Sequence, residues 1–162
     1  CAPGVRKRFI TMGNLILKSS AFDEGADIPK KYTCDGENIN PGLLIENVPE
    51  NAKSLVLIMD DPDATGGATW DHWLLWNIPA ETKNIPENSV PAGAIQGKTS
   101  WGTNEYGGPC PPKGSSPHRY IFKLYALDTA LDLISSTGKA DLEKAMEGRI
   151  LSQKVLMGLY DR

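Results

Sequence analysis

Apolar residues fall along this chain in short runs, each of strand length and each closed off by turn residues. "NLILKS", "SLVLIMDD", "HWLLWNI", "RYIFKLYAL" and "KVLMGLY" are rich in branched and aromatic side chains, a composition that suits a pleated, packed surface. In "SLVLIMDD" and "HWLLWNI" both alternating faces are apolar, which predicts strands covered on two sides rather than at the outer edge of a sheet. Twelve prolines and sixteen glycines, scattered between the runs, supply the turns. One segment carries helical spacing instead. In "TGKADLEKAMEGRIL", Leu142, Ala145, Met146 and Ile150 repeat along one helical face, with Thr137 or Asp141 placed to cap the start. Many short strands and one late helix predict a mainly β fold, a sandwich with small peripheral helices.

Composition bounds what such a domain does. A chain of 162 residues suits one domain with a full core that needs no metal or disulfide staple. Hydrophobic content of 40% with 23% charged residues describes a globular protein, not a disordered one. The net charge is −3 and the one basic cluster, "RKR" at 6–8, is too short for a nucleic-acid surface. No apolar run reaches the roughly eighteen residues of a transmembrane helix. The stretch "CAPGVRKRFIT" has neither strand nor helical period, so residues 1–11 read as an extension or a processing or tag remnant ahead of a domain over 12–162. Two readings of Cys1 stand side by side: a lipid-bearing cysteine exposed by signal-peptide removal, or an artefact preceding a natural start at Met12. The first implies an exported, lipid-anchored protein and the second is compatible with the cytoplasm. Cys34 and Cys110 are either small buried hydrophobes or disulfide partners in an oxidising compartment.

The densest side-chain chemistry lies in two glycine- and proline-rich loops. "DDPDATGGATWDHW" (60–73) separates two of the apolar runs, and "SWGTNEYGGPCPPKGSSPH" (100–118) leads into a third. A long structureless loop inside a compact domain is usually functional or disordered, and the aromatics and prolines here argue for order. The chain's two histidines, His72 and His118, each sit where one of these loops enters a strand, a placement that aims a ring into a cleft from a rigid backbone.

Several chemistries compete for these residues. A metal site from His72, His118 and Asp61 or Asp63 lacks any HxH or HExxH spacing. Cys110 as a nucleophile activated by His118 lies between two prolines, with no helix N-terminus to lower its pKa. No GxSxG elbow supports a serine hydrolase. The carboxylates of Asp61 and Asp63, two apart across Pro62, suit capping of turn N–H groups better than a glycosidase pair. A small anion pocket fits best: histidines and loop N–H groups donate, tryptophans and prolines exclude water, and an aspartate orients a histidine. Such a pocket binds a phosphoester, needs no cofactor and performs no reaction.

The motifs are also similar to those of a known family. "DPDA" at 61–64 followed by "HW" at 72–73 resembles the first signature of the phosphatidylethanolamine-binding protein family, and "YGGPCPPKGSSPHRY" at 106–120 resembles the second. "YTCDGENINPGL" (32–43) and "GRILSQKVLMGLYDR" at the end resemble its bacterial and archaeal branch, the YbhB/YbcL-like or Raf kinase inhibitor-like proteins. The resemblance runs from about Met12 to Arg162. It implies a sandwich of antiparallel sheets, a shallow anion pocket, and a ligand set of Asp61, Asp63, His72, Pro111, His118 and Tyr120 flanked by Trp70 and Tyr106. It also implies binding of phosphate-bearing head groups, or inhibition of a serine protease or kinase by protein contact. Cys34 and Cys110 match cysteines that exported relatives join as a disulfide. Thr65, where the pattern has proline, and Asp71, where it has an aromatic or histidine, are departures. The second predicts a carboxylate beside the pocket that repels phosphate.

Overall fold

The computed structural model describes residues 14–162, so the expectations attached to Cys1, the basic run at 6–8 and an extension over 1–11 lie outside the described residues. Strands β1 (Ile16–Ser19), β2 (Leu43–Glu46), β3 (Ser54–Asp61), β4 (Trp70–Pro79), β5 (Asn84–Ile85), β6 (Ile95–Gln96), β7 (His118–Leu127) and β8 (Ile150–Tyr160) form two antiparallel sheets. The smaller has the order β1-β2-β5 and the larger β6-β4-β3-β7-β8. Helix α1 (Lys139–Met146) and a 3-10 turn at Lys30–Tyr32 complete the described elements.

All eight residues of β3 are buried, because the large sheet is covered on both faces. Leu55, Leu57 and Met59 pack with Leu17, Leu43 and Ile45 of the small sheet, and with Trp73, Leu75, Tyr120 and Phe122 of the neighbouring strands. Val56 and Ile58 face the other way, into a layer with Leu74, Trp76 and the α1 side chains Leu142 and Met146. Each such side chain contributes about 1.5–3 kcal/mol by leaving water. The continuous apolar pattern of the two central strands therefore reflects a sheet sandwiched between a second sheet and a helix.

The helix differs from its expectation at both ends. Gly138 is the N-cap, in an extended conformation, and neither Thr137 nor Asp141 caps through its side chain. Asp141 instead places its charge in the first turn, where the helix dipole favours it. At the other end Gly148, at φ +75°, reverses the chain after Met146, so Ile150 opens β8. Strands β2, β5 and β6 have no long apolar run to announce them; β2 alternates buried and exposed, and the other two are two residues long.

Candidate functional site

The site begins with a register irregularity. Met59 of β3 pairs with Trp73 of β4, but the next residue, Asp60, pairs with Asp71, leaving His72 as the extra residue of a β-bulge. Strict alternation would turn His72 toward the α1 side with Leu74 and Trp76. The bulge returns it to the other face, beside Tyr120, and turns Asp71 toward the helix instead. There Lys139 of α1 bridges Asp71 at 2.8 Å and Asp60 at 3.2 Å, and Lys123 of β7 reaches Asp60 at 2.9 Å. The carboxylate of Asp71 is thus neutralised on the reverse side of the sheet. It does not line the cavity, contrary to the repulsion its sequence position implied.

At this end of the sheet a cavity of about 340 Å3 is lined by Asp61, Trp70, His72, Pro111, His118 and Tyr120, together with Ala64, Thr65, Trp101, Cys110 and Pro112. A larger groove, about 540 Å3, runs past Leu44, Val48 and Thr82, but its charged groups, Glu46, Glu81 and Lys83, are exposed and do not converge.

Both histidines are held by Nδ1. His72 Nδ1 donates to the Gly107 carbonyl at 2.7 Å, and a carbonyl only accepts, so Nδ1 carries the hydrogen. His118 Nδ1 donates to Asp61 Oδ2 at 2.8 Å. Among the described residues Nε2 of neither ring has a hydrogen-bond partner, and it is the remaining polar atom each ring offers to the cavity. The His72 ring is clamped edge to face between Trp101 (4.9 Å) and Tyr120 (5.2 Å). Burial pushes its pKa below the usual 6.5, only partly offset by the Gly107 carbonyl, so it is neutral at pH 7. Burial, then the Asp61 charge, push the Tyr120 phenol well above its ordinary value and keep it protonated. Asp61 is doubly used: its Oδ1 accepts the Asp63 N–H at 2.7 Å, closing the Asp-Pro-Asp turn, while Oδ2 orients His118.

The 100–118 loop is pinned from several sides. Gly107 also donates its N–H to the His72 carbonyl at 3.0 Å, so one main-chain residue grips His72 twice. A Cβ at Gly107 would run into the Trp101 ring, and one at Gly108 into the Tyr32 carbonyl and Asn38 Oδ1 (2.6 Å). These glycines are demanded by close approach. A disulfide joins Cys110 to Cys34. Arg162 donates to the Pro111 carbonyl at 3.3 Å and pairs with Asp35 at 3.2 Å, while its own carbonyl accepts the Gly114 N–H. The cavity wall at 110–112 is therefore tied to the 34–35 segment by a covalent bond and by an ion pair.

Two of the expected ligand residues lie elsewhere. Asp63 is engaged by Arg119 through the main-chain N–H and both arms of the guanidinium, each at 2.9 Å. Those bonds hold its carboxyl down to a pKa of about 2. Tyr106 is buried against Trp73 and donates its hydroxyl to the Tyr32 carbonyl, supporting the loop from behind. Sequence reasoning missed Trp101 and Arg162. Trp101 belongs to the loop already singled out, but no spacing in the sequence announces either contact.

A model of the phosphatidylethanolamine-binding protein family matches residues 18–161. A UPF0098 protein of Methanothermobacter thermautotrophicus is 50% identical over 151 residues, covering 90% of this chain and 98% of that protein. Among solved structures, a homologue of that family from Chlamydia trachomatis superimposes with a TM-score of 0.86 at 40% identity, covering 91% of this chain and 97% of its own. The YbcL protein of Escherichia coli, described as a new member of the mammalian family, gives 0.87 at 30% identity, covering 93% of this chain and 99% of its own.

Proposed function

The chain belongs to the phosphatidylethanolamine-binding protein family, and from that premise we propose that it is a non-enzymatic binding protein whose cavity between His72 and His118 holds a small oxyanion, a phosphate or phosphoester. The observation that carries the reading is the pair of imidazoles on one cavity, each locked by Nδ1 and each offering Nε2. Tyr120 adds a protonated phenol, and Trp70, Trp101 and Pro111 wall off water, which strengthens each polar contact. The Asp61–His118 pair has the form of a base and its orienting carboxylate, yet Cys110, the sulfur on the cavity wall, is bound in the disulfide. That favours binding over turnover.

Phosphoethanolamine titrated into the protein is expected to move the imidazole NMR signals of both His72 and His118 in a saturable way. Histidine signals that stay silent at high millimolar ligand contradict the reading.

A second reading, contact with a serine protease or a kinase, draws on Trp70 and Trp101, which pack edge to face at the mouth while remaining 36% and 45% exposed. A panel of serine proteases separates the two: inhibition that survives His118→Ala belongs to the rim rather than to the cavity.

A further inference from the structure

Resting on the anion-pocket reading, we propose that the cavity selects an oxyanion that brings its own proton, a hydrogen phosphate or phosphomonoester, over sulfate and over phosphodiesters. The proposal follows from what His72 offers. Its Nδ1–H is committed to the Gly107 carbonyl, which cannot be its donor, so the tautomer is locked and Nε2 bears a lone pair. The bulge at His72 fixes the backbone, and Trp101 and Tyr120 hold the ring edge-on from two sides, so the imidazole cannot flip to present a donor. A site of this kind accepts a hydrogen bond from its ligand.

The surrounding charges point the same way. Among the described residues no lysine or arginine lines the cavity; its ionisable groups are Asp61, His72, His118 and Tyr120. On the reverse face of the sheet Asp60 and Asp71 are offset by Lys123 and Lys139, so no surplus positive charge reaches through. Burial lowers the basicity of His72, which makes taking up a proton there costly. A fully deprotonated oxyanion would place two lone pairs against one another at His72 Nε2, with the Asp61 carboxylate close by. A hydrogen phosphate donates its P–OH to His72 Nε2, and its remaining oxygens lie on the His118 side of the cavity, where Asp61 holds that ring by Nδ1. One proton lies between His72 and the bound oxyanion, and with His72 neutral the ligand supplies it.

Three probes test this with the unmodified protein: inorganic phosphate, sulfate of the same size without a proton, and dimethyl phosphate, a monoanion without a proton. By calorimetry at pH 7, phosphate is expected to bind at least about tenfold more tightly than either of the others, the consequence of leaving a buried acceptor unsatisfied. The ratio of phosphate to sulfate affinity is expected to narrow as the pH falls from 7 toward the depressed pKa of His72, where the ring supplies the proton itself. Sulfate and dimethyl phosphate binding within about threefold of phosphate at pH 7 overturns the proton requirement while leaving the anion pocket standing. Binding of none of the three overturns both.

Discussion

His72 and Gly107 act as a unit at the scale of single residues. The main chain of Gly107 receives the imidazole hydrogen and returns its own N–H to the His72 carbonyl, and only a residue without a Cβ fits beneath the Trp101 ring. Gly107→Ala is expected to displace Trp101, weaken anion binding at least about tenfold and cost about 1–3 kcal/mol of stability, as overpacking of a close contact does. Chemical denaturation and calorimetry on one variant check both. His72 also links stability to pH. Its folded-state pKa is depressed, so the unfolded chain binds the proton more readily; stability is complete above 6.5 and falls as the pH drops from there toward the folded value. Asp63, held down to about 2 by Arg119, adds a second loss between its usual 3.8 and 2. A urea midpoint measured from pH 8 to 2 is expected to decline in two stages, and His72→Gln is expected to remove the upper stage.

The two central strands were legible because a sheet buried on both faces leaves no polar alternation to misread; β3 and β4 fall on "SLVLIMDD" and "HWLLWNI". Both histidines, Asp61, Trp70, Pro111 and Tyr120 were legible as a group through the two family motifs. The bulge was not, since one inserted residue leaves the apolar pattern unchanged while reversing which face His72 and Asp71 take. For the same reason the sequence reading set Asp71 against phosphate, whereas Lys139 at the start of α1 answers it across the sheet. Asp63 entered the expected ligand set by its motif position, and its engagement by Arg119, fifty-six residues away, has no signal in the sequence. The helix thus underpins the cavity floor electrostatically. Lys139→Met leaves Asp60 with Lys123 alone and Asp71 without its partner. A loss of about 2–3 kcal/mol is expected, less than the 3–5 of a fully buried pair because the lysine is partly exposed. The His72 pKa is expected to rise, since the charges of Asp60 and Asp71 both favour its imidazolium. An NMR pH titration reads the second effect; an unmoved His72 contradicts the coupling between the helix and the site.

Over the whole molecule, the cavity is completed by segments distant in sequence and held by a bond that closes the span from Cys34 to Cys110, a separation of 76 residues. In the chain-entropy account a loop of that size contributes up to about 4.5 kcal/mol. A double Cys34→Ser, Cys110→Ser variant is expected to unfold at lower denaturant and to bind anion more weakly, with Arg162 and Asp35 left as the remaining tie on the 110–112 wall. Such bonds persist in oxidising compartments. Among the described residues no helix is long and apolar enough to cross a membrane. If the two loops converge to place two imidazoles on one anion, a crystal structure of the protein soaked in phosphate shows it. The expected result is a phosphate in the cavity, within hydrogen-bond distance of Nε2 on both His72 and His118. An empty cavity in crystals that hold phosphate elsewhere, or a phosphate there touching neither ring, contradicts the account.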